Sequence, residues 1–134
     1  MNRAVFDTNV LVSGFLSPHG PPGRIVEGLR AGNFQAVLDD RIFHEYKEVL
    51  ARPAFAFPKR EIEIVLNTIR ANAFSVEVLR AAHGLPDKDD APFLECAQAA
   101  EVSIVTGNIR HFPKSVCGDV KILTPAQFIH LHTQ

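Results

Sequence analysis

The chain has only two cysteines, Cys96 and Cys117, each in an apolar context and neither forming part of a CxxC or other metal-ligand pairing. That argues against a zinc site and suits a reducing compartment. No apolar run approaches the roughly 20 residues of a membrane span. The opening Met1-Asn2-Arg3-Ala4-Val5-Phe6 enters a strand-like run at once, without the layout of a signal peptide. A cytoplasmic protein with no membrane role is the expectation. An excess of positive charge is missing too: 14 Lys and Arg face 15 Asp and Glu, for a net charge of −1. Bulk attraction to nucleic acid is thereby excluded. A nuclease is not, because acids that hold cations offset basic residues placed elsewhere. The glycine-rich phosphate cradles GxxxxGK[ST] and GxGxxG are absent. The histidines His19, His44, His83, His111, His130 and His132 lack metal-ligand spacing, and the last two read as a solvated tail.

What is there is ordinary globular material. Hydrophobic residues make up 46% and charged ones 22%, which argues against disorder. With 134 residues and no linker, repeat or low-complexity tract, one domain spanning 1–134 is expected. Apolar, β-rich runs lie at Ala4–Phe6, Gln35–Leu38, Phe74–Val78, Val102–Thr106 and Val120–Leu123. Helical patterns fall between them at Gly23–Ala31, Ile42–Ala51, Lys59–Ala73 and Asp90–Glu101. Gly32 marks a helix end, and Thr124 with Pro125 opens a short closing helix to His130. Ala54–Pro58 reads as an apolar loop. Strands alternating with helices, several of them apolar throughout, predict a three-layer α/β/α sandwich around a mainly parallel sheet of about five strands.

In such a sheet, ligands bind at the carboxyl ends of the strands. Asp7, Thr8 and Asn9 follow the first strand, Asp39 and Asp40 the second, and Thr106, Gly107 and Asn108 the fourth. Asp7 is either a helix cap or a site residue; an acid at the tip of a buried strand is costly unless paired or metal-bound. On the helix after the second strand, Ile42, Phe43, Tyr46, Val49 and Leu50 set the apolar face. Glu48 then points roughly 160° away and Glu45 roughly 100°, on the flank. Glu45 is either a boundary residue, paired for instance with Arg41, or a functional acid. On the helix after Asp90, Phe93, Leu94, Ala97 and Ala100 set the face; Asp90 falls about 30° from its centre and Glu95 nearly opposite. Asp90 therefore points inward, while Asp89 suits the cap and Asp87 the turn before it. Three acids far apart in sequence and near one sheet edge suit a hard divalent cation.

Five stretches together resemble one family. They are Val5–Ser13, Val37–Pro53, Asp87–Ala97, Ile104–Pro113 and Ile122–Ile129, in the order found in the PIN-domain ribonucleases. The likeness is to the small bacterial PIN proteins that act as toxins of toxin–antitoxin pairs. Carried over by position, it assigns the three acids to Asp7, Glu45 and Asp90, as ligands of Mg²⁺ or Mn²⁺. Thr106 and Asn108 fall at the polar fourth position, where relatives carry aspartate or asparagine. Some relatives have an acid three residues further on, where this chain has His111; the site then carries less negative charge. The resemblance implies RNA phosphodiester hydrolysis, with Glu45 positioning or deprotonating the attacking water and with 5′-phosphate and 3′-hydroxyl products. Asp7, Glu45, Asp90 and Asn108 would form the catalytic set. Thr8, Asn9, Thr106 and Arg110 are candidate substrate contacts, and Lys114 is a further candidate beside the fourth strand. It also implies an antitoxin that covers the acidic cleft, and a homodimer.

Three rivals stand beside that reading. A catalytically weak or inactive PIN-like module would bind RNA or a partner without cleavage. A phosphatase with an aspartyl nucleophile wants an acid where Asn9 stands. A response-regulator-like switch would need acids clustered more closely.

Overall fold

The computed structural model describes residues 2–132; Met1 and residues 133–134 of the expected 1–134 domain lie outside the described residues. Strand β1 (Asn2–Phe6) runs into α1 (Thr8–Leu16) and α2 (Pro21–Ala31), then β2 (Phe34–Leu38), α3 (Asp40–Leu50) and α4 (Lys59–Asn72). After β3 (Phe74–Ser75), a long irregular segment leads to α5 (Ala91–Ala100), β4 (Ile104–Val105), α6 (Lys114–Cys117), β5 (Ile122–Leu123) and α7 (Pro125–His132). The five strands form one parallel sheet in the order β3-β2-β1-β4-β5. Helices on both of its faces give the expected three layers.

Side-chain alternation assigns the two faces. Phe6 and Phe34 project to one side and meet Phe128 of α7 at ring-centroid distances of 5.3 and 5.0 Å. On that side α2 packs on α7 and on β2. Helix α5 packs against β1 and β2 and buries Phe93, Leu94, Cys96 and Ala97. The helix crossing of α1 and α2 depends on small residues: a Cβ on Gly23 would lie 2.0 Å from the Pro18 carbonyl oxygen, and one on Gly14 2.5 Å from Val26. Gly32 ends α2 at φ 81°, the left-handed conformation that glycine adopts without a Cβ penalty. Thr124 and Gln127 exchange side-chain and backbone hydrogen bonds of 2.8 and 3.1 Å, a capping box at the start of α7.

Several elements differ from the sequence expectation. β3, β4 and β5 are two residues each, shorter than their apolar runs, because the flanking residues pack as loops. The nine residues after Asp7 form a helix that the strand-like composition of Val10-Leu11-Val12 concealed. α7 runs on to His132, whose ring lies 4.5 Å from that of Phe128, so His130 and His132 belong to a helix and not to a solvated tail. No helix among the described residues is long and apolar enough to cross a membrane.

Candidate active site

The chain fills the sheet from β1 outward to β3, then returns to lay β4 and β5 on the other side of β1. The strand order thus reverses between β1 and β4, and the crevice at their carboxyl ends is where an open α/β sheet binds ligands. Pairing of Phe6 with Val105 brings the next residues, Asp7 and Thr106, side by side. Thr106 is fully buried; its hydroxyl donates to Asp7 Oδ2 at 2.8 Å and accepts from the Asn108 amide at 3.0 Å. Asn9 donates to the same Asp7 oxygen at 3.2 Å and accepts from the Gly107 amide at 2.9 Å. Two strand tips are thereby tied together around one carboxylate.

Asp7 is only 6% exposed. It occupies the cap position of α1 without a capping hydrogen bond from its side chain, so capping does not account for it. Burial pushes its pKa up, and the Thr106 hydrogen bond offsets part of that rise. Glu45 lies on the flank of α3, half-buried, while Glu48 is exposed, as the helix phase predicts. The buried Thr8 hydroxyl donates to Glu45 Oε2. Burial raises the pKa of Glu45 and the Asp7 charge raises it further, against the Thr8 hydrogen bond. Thr8 and Thr106 are thus buried behind the carboxylates and donate hydrogen bonds that orient them.

Asp90 ends a short turn at Lys88–Asp90 and points inward from the start of α5. Its Oδ2 is buried and has no hydrogen-bond partner, an arrangement with a marked desolvation cost. Burial first, then the charges of Asp7, Asp87 and Glu45, push its pKa up to about 6, with His111 opposing. The nearest nitrogen base is the His111 ring, whose Nδ1 lies 3.5 Å from Asp90 Oδ2. The other ring nitrogen, Nε2, is 3.0 Å from Asn108 Nδ2; an amide donor there leaves the imidazole proton on Nδ1, facing Asp90. Asn108 Oδ1 accepts from the Arg110 amide at 3.3 Å, and the Arg110 side chain is exposed. Sequence reasoning noted His111 only as a departure from its relatives, and nothing in the spacing signals its contact with Asp90.

Three readings of the neighbouring acids that the sequence allowed do not hold. Arg41 does not pair with Glu45: it binds Asp39 at 2.7 Å and Glu95 at 2.6 Å. Glu95, expected opposite the apolar face, is buried, because α5 is covered on both sides and the chain at Ala82 donates its amide to Glu95 at 2.8 Å. Nor does Asp89 cap α5; Asp90 holds that position, and Asp87 accepts the Asp89 amide at 2.9 Å.

The chain matches the family model of the PIN domain over residues 3–110. It belongs to the PIN-domain family. No curated protein matched it. PIN domains are as a class nucleases that depend on a divalent metal and act on RNA, and this PIN domain has the fold that goes with that chemistry. Its own residues can be tested against a cation. Asp7, Glu45 and Asp90 feel one another's charge, and none has a Lys or Arg within ion-pair distance among the described residues. Oxygen donors, an orphaned buried carboxylate oxygen and mutual repulsion all fit a hard divalent ion. No group of three or more acid, His or Cys side chains is already gathered at metal-holding distance among the described residues.

Proposed function

We propose that this PIN domain is a metal-dependent endoribonuclease, a single domain working in the cytoplasm as the toxin of a toxin–antitoxin pair. The observation that carries the nuclease reading is the buried oxygen of Asp90, which has no hydrogen bond and only the His111 ring nitrogen 3.5 Å away, together with two further carboxylates of raised pKa. Asp7 and Asp90 would hold Mg²⁺ or Mn²⁺, with Glu45 at its side. Such an ion neutralises charge on the phosphodiester and acidifies the attacking water.

The remaining steps fall to the chain's own side chains. Glu45 orients the water and takes its proton; its raised pKa brings it closer to the range useful to a general base. Thr8 fixes that carboxylate in place, and Thr106 and Asn9 fix Asp7. As water oxygen bonds to phosphorus, the bond to the 3′-oxygen breaks, leaving 5′-phosphate and 3′-hydroxyl ends. Asn108 holds the His111 ring beside Asp90, and the exposed Arg110 and Lys114 meet flanking phosphates. An antitoxin would cover the cleft with an Arg or Lys among the acids, and a homodimer is part of the same proposal.

The test is cleavage of a fluorescent single-stranded RNA by purified protein with Mn²⁺ or Mg²⁺, beside Asp90→Asn and an EDTA control. Loss in both controls is the expected result. A folded wild-type protein that neither cleaves RNA nor binds Mn²⁺ by calorimetry would sink the proposal in favour of the inactive module.

A further inference from the structure

The acid centre opens onto a longer surface. Beside Glu45 a trough of about 580 Å³ follows the outer side of α3, walled by His44, Glu48, Arg52 and Lys88. Past Arg52 lies a second groove of about 420 Å³. Leu50, Ile62 and Leu66 form its buried floor, while Lys47, Arg52 and Lys59 are exposed around it. Arg52 lines both, so the two adjoin at that side chain. Glu45 and Arg52 are seven residues apart, about 10 Å along a helix axis.

At the far end the chain turns through Pro53–Phe55, and Ala56 takes a left-handed φ of 51°. The turn sets the Phe55 and Phe57 rings 5.1 Å apart and 9° from parallel, and Phe57 also meets Phe15 at 5.4 Å. Phe57 is therefore held from two sides. Phe55 is half exposed and has Phe57 as its ring contact. Among the charged residues lining this groove, Lys47, Arg52 and Lys59 outnumber Glu63, the reverse of the chain's overall balance of −1. Arg52 shares its charge with Glu48 at 3.8 Å between two exposed side chains, a contact weak enough to give way to a phosphate.

We infer that this surface is a track for single-stranded RNA, with a base stacked on Phe55 and the backbone meeting Arg52, Lys47 and Lys59. An aromatic platform next to cations, here Phe55 stacked on the groove-lining Phe57, is the physical signature of sequence-tolerant single-strand binding. The inference rests on the proposed RNA substrate, since a strand bound at Glu45 must leave the acid centre along some surface. This one starts beside Glu45 in a trough lined by acids and cations alike and ends in a groove where cations outnumber acids.

The test measures binding and cleavage separately. Anisotropy of a short fluorescein-labelled single-stranded RNA is read in EDTA, where the metal-dependent reaction is off. Phe55→Ala weakens binding about tenfold and Phe55→Tyr, which keeps the stacking face, restores it. Arg52→Gln lowers the slope of log affinity against log salt by about 0.7. With Mn²⁺ present, the Phe55→Ala defect falls on KM and not on kcat. RNA binding that Phe55→Ala and Arg52→Gln leave unchanged overturns the track and leaves the groove to a protein partner, even where Mn²⁺-dependent cleavage upholds the nuclease reading. Phe55-dependent binding without any cleavage supports the track and removes the nuclease reading.

Discussion

Two groups of acids flank α3, and the protein treats them in opposite ways. Asp39 and Glu95 share Arg41, and Glu95 also takes the Ala82 amide; hydrogen bonds and the Arg41 charge lower the pKa of Asp39 despite its burial. Asp7, Glu45 and Asp90 have no such partner, and all three pKa values are raised. The first group is a finished structural device, in which the guanidinium ties α3 to α5 and the Glu95 carboxylate holds the segment after β3. The second is left electrically incomplete. Carboxylates assembled at a net cost, where a basic residue would have relieved them, are a mark of a site that something else completes.

The sharpest way to test that contrast is to neutralise one member of each group. Asp90→Asn, or Asp7→Asn, should lower metal-dependent RNA cleavage on the order of 1000-fold, as expected when several kcal/mol of transition-state stabilisation are lost; cleavage within tenfold of wild type would break the comparison. Saturating Mn²⁺ should stabilise the wild type by about 2.7 kcal/mol at a hundredfold excess over its Kd, and leave Asp90→Asn unmoved in thermal melts. Arg41→Gln should cost about 2–3 kcal/mol in urea unfolding, below the range for a fully buried pair because Arg41 is half exposed, while Mn²⁺ affinity holds.

Without metal, Asp90→Asn should do the reverse and raise stability at neutral pH by roughly 1–2 kcal/mol, after discounting for its partly open setting. The sign follows from the pKa. A folded-state value raised from 3.8 to about 6 means that the native state holds this proton more tightly. Asp90's contribution is thus favourable at low pH and is lost as pH climbs through that window. The variant should lack that part of the pH dependence. Thr106→Val is the mildest change: about 1 kcal/mol of stability from lost hydrogen bonds, and an upward shift in the pH of half-maximal cleavage, because the hydroxyl that lowers the Asp7 pKa is gone.

The fold class, the parallel sheet and the strand-end location of the acids were legible in the sequence because each leaves a one-dimensional trace. Apolar strands alternate with helical periods, and Asp7 and Thr106 directly follow strands. The phases of Glu45 and Asp90 were legible for the same reason, since a single buried stripe orients the whole helix. Glu95 was not, because phase reasoning assumes one buried face and α5 has two. The Arg41 staple and the His111–Asp90 contact join residues 54 and 21 positions apart, and no local pattern encodes such pairs. The helix after Asp7 was hidden by β-branched residues that tertiary packing holds helical.

Thr106 reaches back across 99 positions to hold Asp7. A nascent chain still short of Thr106 has made Asp7, Glu45 and Asp90 but cannot yet hold the first of them in place, and β1 still lacks the neighbour that puts it inside the sheet. Because a domain folds as a unit, the part of the molecule suited to chemistry cannot be finished before β4 has been made. The order of residues along the chain acts as a delay, and a truncated product that stops before β4 would lack both the Thr106 hydrogen bond and the strand that encloses β1.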